Sequence, residues 1–142
     1  MSFDWSAYLD LARNLDALAK RESNARLKEA QWRSALSRAY YAAYHLSSIR
    51  VASIPDIHRI CTSSERHTTS GACLENHGCV FKFYQQSTNT MASDLGTYLQ
   101  RLYTNRVSAD YKSSIPGLAN KVTEQITLAQ DIIQGLSTLA QI

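Results

Sequence analysis

The sequence predicts an all-α fold, an antiparallel bundle of four to five helices. Apolar residues recur at three- and four-residue spacing over long segments, and no stretch alternates in the manner of a strand. A central run, Arg33 to His45, is rich in alanine and free of glycine and proline. Both prolines, Pro55 and Pro116, stand at the ends of periodic segments. Helices with one apolar face each are stable only when they bury those faces on one another, hence a bundle.

Length and charge bound the rest. A chain of 142 residues is one domain, 1–142, large enough to bury a core without staples. Hydrophobic residues make up 44% and charged residues 19%, as in water-soluble globular proteins. Fifteen Lys and Arg against 12 Asp and Glu give +3 and a pI near 8.8, which permits a nucleic-acid partner without demanding one. No apolar run approaches a membrane span and the N-terminus lacks a signal-peptide core, so a cytoplasmic location with no membrane partner is expected. Three cysteines, an odd number, suggest reduced thiols.

In chain order, residues 4–20 form the first helix, with Asp4 as a cap and Trp5, Tyr8, Leu9, Ala12, Leu15 and Ala19 at helical spacing. Arg21 to Lys28 is a polar connection in which Ser23 and Asn24 are breakers or caps. The second helix runs from about Glu29 to Val51, limited by Pro55. Residues 52–76 are an irregular loop insertion, with Pro55, Gly71 and a Ser- and Thr-rich run from Thr62 to Ser70. A short helix follows, about His77 to Ser87. The next, about Met91 to Asp110, carries Leu95, Leu99, Leu102 and Arg106 on one stripe. Ser113 to Pro116 is a loop and cap, with Pro116 early in a last helix that reaches about Leu139 and buries Val122, Ile126, Ala129, Ile133 and Leu136.

The second helix is the informative one. Ser34, Arg38, Tyr41, His45 and Ser48 share one stripe, while Trp32, Ala35, Leu36, Ala39, Ala43 and Leu46 lie roughly opposite. Three alanines on the apolar face allow a close helix neighbour. The polar stripe is either a hydrogen-bonded packing surface or a face that offers a cation and a titratable base to a phosphate.

The run Ser37-Arg38-Ala39-Tyr40-Tyr41-Ala42-Ala43-Tyr44-His45 resembles the second-helix signature of the HEPN superfamily of small helical RNA-associated proteins. Phe3-Asp4-Trp5-Ser6, Tyr8-Leu9 and Leu11-Ala12 resemble the family's opening helix, and His77, Val80 and Phe83 its third. Arg106-Val107-Ser108-Ala109-Asp110-Tyr111 resembles the end of the fourth helix in an ADY-type subgroup. The four pieces keep the family's order and span most of the chain; residues 50–75 have no counterpart.

The resemblance implies a HEPN-like protein of a toxin–antitoxin or phage-defence system, either RNA-binding or related to metal-independent ribonucleases. HEPN ribonucleases use an arginine for the scissile phosphate and a histidine shortly downstream as general acid or base. Here no histidine follows His77, so Arg106 leads instead to Asp110 and Tyr111. Arg106 and Asp110 are therefore either part of a site or an ion pair closing the helix. Candidate catalytic residues are His45, Arg106 and Asp110; candidate RNA-binding residues are Arg38, Tyr41, Arg33 and Tyr111, with Arg101 and Lys112 in support. The family also implies a homodimer. The alternative is a non-catalytic interaction module that docks a partner enzyme, such as a minimal nucleotidyltransferase or another defence-system protein.

No cofactor is expected. His58, Cys61, His67, Cys73, His77 and Cys79 match no common zinc spacing, so no metal site is assigned.

Overall fold

The computed structural model describes residues 2–53 and 77–139. The irregular insertion expected at 52–76 and the zinc candidates His58, Cys61, His67 and Cys73 lie outside them, apart from Ala52 and Ser53. Among these residues there are five helices: α1 Ala7–Arg21, α2 Ala25–Ala52, α3 His77–Gln85, α4 Thr90–Tyr111 and α5 Leu118–Thr138. None of them is long and apolar enough to cross a membrane.

Pairs of contacting residues fix the directions. Trp32 donates to Asp16 and His45 stacks on Trp5, so α1 and α2 are antiparallel. Arg33 of α2 reaches the end of α4, which makes that pair antiparallel as well. Gln125 meets Leu36 and Arg50 meets Leu139, so α5 runs parallel to α2. The short α3 lies alongside α2 through Tyr84, whose hydroxyl donates to the Ser47 carbonyl at 2.7 Å. It is antiparallel to α4, with Phe81 against Tyr103 and Gln85 against Gln100.

The long α2 is the centre, packed on α1, α4 and α5 and more lightly on α3. Ala35, Ala39, Ala42 and Ala43 are completely buried, and their small side chains let neighbouring backbones come close. Leu95, Leu99 and Leu102 are buried as the periodicity requires, each worth about 1.5–3 kcal/mol. Gly96 marks the tightest helix contact, because a Cβ there would stand 2.8 Å from the Gln85 amide nitrogen.

Three boundaries and one helix face differ from expectation. The charged segment before Glu29 is the first turn of α2, since Arg, Leu and Lys are good helix formers. Asn24 starts it, its side-chain oxygen accepting from the Arg26 and Leu27 amides. Asp4 instead binds the Ser6 amide and hydroxyl, ahead of α1. Pro116 precedes α5, and Gly117, at φ 66°, makes the turn into it. The inward face of α5 is rotated slightly, so Gln125 and Ile132 are fully buried while Ile126 and Ile133 are only partly so.

Cys79 is disulfide-bonded, which corrects the expectation of reduced thiols at that position. An odd count leaves room for one pair, and parity alone does not exclude it.

Candidate functional site

Three helices and the N-terminal segment meet at an aromatic cluster on α2. Tyr40 and Tyr44 are one turn apart and point into the bundle, with rings stacked at 5.7 Å and 20°. Tyr41 and His45 form the next stripe, 5.9 Å apart, at the margin of the core. From α3 comes His77, stacked on Tyr44 at 4.3 Å. From α4 come Tyr103 and Arg106, one turn apart.

Arg106 is the charged member. Its stem continues the buried leucine stripe, as expected, and its guanidinium lies 5.1 Å from the Tyr103 ring centre and 5.7 Å from those of Tyr40 and Tyr41. Ring faces stabilise such a cation by about 0.5–2 kcal/mol each. Nη1 donates to Asp110 at 3.2 Å, while the buried Nε has no hydrogen-bond partner among the described residues. Burial alone would lower the Arg106 pKa; the Asp110 hydrogen bond and the phenols outweigh it, so the net direction is upward and the group stays charged.

Both histidines are held neutral. Burial lowers the pKa of His45, which stacks flat on Trp5 at 3.6 Å. Burial also lowers that of His77, helped by the charge of Arg106 and by His45. His77 Nδ1 shares a short hydrogen bond with the Tyr40 hydroxyl. Burial, then the neighbouring Tyr44, push the Tyr40 pKa far above that of a free phenol, so Tyr40 keeps its proton.

The sequence candidates divide accordingly. Arg38 lies over Tyr8 at 4.8 Å and over Tyr41 at 5.3 Å, so Tyr41 is flanked by two guanidiniums, those of Arg38 and Arg106. His45 joins this group through Tyr41. Asp110 is the ion-pair partner of Arg106, and Tyr111 is the most exposed large hydrophobic side chain, at 79%. Arg33 belongs elsewhere. Its guanidinium donates to the carbonyls of Ala109, Lys112 and Ser113 at 2.6–3.2 Å and to Glu29, closing the C-terminal end of α4.

Tyr40, Tyr103, His77 and Trp5 were not among the candidates. His77 and Tyr40 had a signal only in the resemblance of the third and second helices; their pairing, 37 residues apart, had none. Among the described residues no group of three or more His, Cys, Asp or Glu is placed to hold a metal. A depression of about 320 Å³ lies apart from this cluster, between α4 and α5, and is lined by Arg101, Asn105, Gln125 and Asp131 among others.

What the cluster offers is a fixed cation, a second cation at its rim, two neutral imidazoles and several ring faces. This suits an anion attached to something flat. Set against family models, curated proteins and solved structures, the chain matches none of them.

Proposed function

We propose that this protein is a HEPN-like, RNA-associated member of a toxin–antitoxin or phage-defence system, and that it binds unpaired RNA at the α2–α3–α4 cluster. The observation that carries the reading is the sharing of the Tyr41 ring by Arg38 and Arg106. Guanidiniums bind phosphate, and tyrosine faces accept unstacked bases. The four-part resemblance of the sequence supports the same reading, and the excess of basic residues is compatible with it.

Binding is favoured over cleavage. With the pKa of both imidazoles lowered and Asp110 tied to Arg106, neither histidine favours the imidazolium form that would give a proton to a leaving oxygen. The same fact supports the second reading, a non-catalytic module that docks a partner enzyme such as a nucleotidyltransferase. By this proposal the protein works in the cytoplasm as a homodimer; light scattering at tens of micromolar tests the dimer. A thiol count on protein from reducing cytosol tests the compartment, since a persistent disulfide argues against it.

The direct experiment is fluorescence anisotropy with a labelled single-stranded RNA over a range of salt. Arg38→Ala and Arg106→Ala are each expected to weaken binding and to reduce the salt slope by roughly one. An unlabelled partner enzyme that binds where RNA does not would favour the docking module.

A further inference from the structure

We propose that His77 and Arg106 form a two-donor clamp for one phosphodiester, in which His77 gives its Nε2–H as a neutral hydrogen-bond donor and Tyr40 positions it. The proposal rests on the RNA reading above and names the group of the RNA that this part of the site takes.

The tautomer follows from burial. Tyr40 is fully buried, and its hydroxyl has His77 Nδ1 as its hydrogen-bond partner. A buried O–H left without an acceptor is costly, so the hydroxyl donates and Nδ1 accepts. The imidazole proton then sits on Nε2. That nitrogen makes no hydrogen bond to any described residue, and the ring is only half-buried. Stacking on Tyr44 at 4.3 Å and the bond from Tyr40 together hold the ring plane.

Arg106 faces the same three rings. His77 lies 5.6, 6.4 and 5.3 Å from the centres of Tyr40, Tyr41 and Tyr103; the Arg106 guanidinium lies 5.7, 5.7 and 5.1 Å from them. Arg106 is nine-tenths buried, and its Nε is a donor with no acceptor among the described residues. Two groups ranged around the same three rings thus carry donors that no described residue satisfies. A ligand that satisfies both must bring acceptor oxygens, and beside a fixed guanidinium a negative charge is favoured. With Asp110 already offsetting one positive charge, the singly charged diester fits better than a phosphate dianion. Tyr40 touches no ligand in this scheme and is a positioning residue.

Two measurements on the whole protein test it. Nitrogen-15 NMR of wild type, with His77→Gln used to assign the resonance, is expected to show His77 with Nδ1 bare and Nε2 protonated. Tyr40→Phe keeps the ring, frees Nδ1 and is expected to give mixed tautomers. Affinity is then read with a single-stranded RNA bearing a 5′-hydroxyl, so that all its phosphates are diesters. His77→Leu is expected to bind about 10-fold more weakly, the loss of one charge-assisted hydrogen bond. His77→Gln, whose amide N–H can replace Nε2–H, is expected to stay within about threefold. RNA, but not millimolar inorganic phosphate, is expected to shift the Nε2 resonance; an equal shift with phosphate would overturn the choice of diester. A His77 protonated on Nδ1, or wild-type affinity in a folded His77→Leu, overturns the clamp while Arg106-dependent RNA binding stands. If wild type binds no RNA, the functional reading falls and the clamp falls with it.

Discussion

Gln125 and Arg106 are both buried polar side chains of this bundle, and they could hardly be treated more differently. Gln125 of α5 is 1% exposed, and its amide is fully occupied: Nε2 donates to the carbonyls of Leu36 and Leu102, and Oε1 accepts from Asn105. Arg106 of α4 is 9% exposed, carries a full charge, and has one hydrogen bond and an orphaned Nε. A satisfied buried amide ties three helices together and asks for nothing further. An under-satisfied buried guanidinium is tolerated at a cost to stability, and a ligand is the economical reason for keeping it. The comparison sets a part of the core that holds the fold against a part that, by the proposal above, serves a partner.

The largest effect on stability should come from Gln125→Ala. It leaves a cavity and frees Asn105 from its acceptor, a loss of about 2–4 kcal/mol, with RNA affinity unchanged in the folded fraction. Urea denaturation beside anisotropy measures both; a neutral change in stability would remove the distinction between the two regions.

Next comes Arg33→Ala, which strips the closing donors from the α4 carbonyls of Ala109 and Lys112 and from Ser113. About 1–2 kcal/mol of stability should go. RNA affinity should stay nearly constant, since these donors are already spent. A large loss of affinity with unchanged stability would return Arg33 to the binding surface.

The smallest effect is the pH dependence, and it belongs to the aromatic region alone. His45 and His77 have folded-state pKa values below the ordinary value, mainly through burial. The unfolded chain therefore takes up protons first, near pH 6.5, and the folded chain only at lower pH. Stability from these two groups is complete above about pH 6.5 and declines as pH falls from there through the folded values. Thermal melts from pH 7.5 to 5 should show the decline, and His45→Gln with His77→Gln together should flatten it.

Much of this was legible in the residues. Helical periodicity located the five helices of the described residues, and Asn24 was one of two candidates, with Ser23, for a breaker or cap before the second. The Arg38, Tyr41 and His45 stripe needed only three- and four-residue spacing, and Arg106 announced itself by ending a stripe of leucines. Gln125 was not legible: apolarity favoured Ile126, and the bonds that make an amide welcome inside come from residues 36, 102 and 105. Arg33 looked like a phosphate ligand because sequence does not reveal that the end of α4 lies beside it. The pairing of Tyr40 with His77 leaves no local pattern, since it is made only when α3 packs along α2.

The most direct test of the account is Arg106→Met, which keeps the buried stem and removes the charge and the orphaned donor. Melting temperature and affinity for single-stranded RNA should be measured on the same preparation. The account predicts a melting temperature equal to or above that of wild type and an affinity at least about 10-fold weaker. A melting temperature that falls as far as that of Gln125→Ala, with RNA binding intact, would make Arg106 a structural residue and contradict the account.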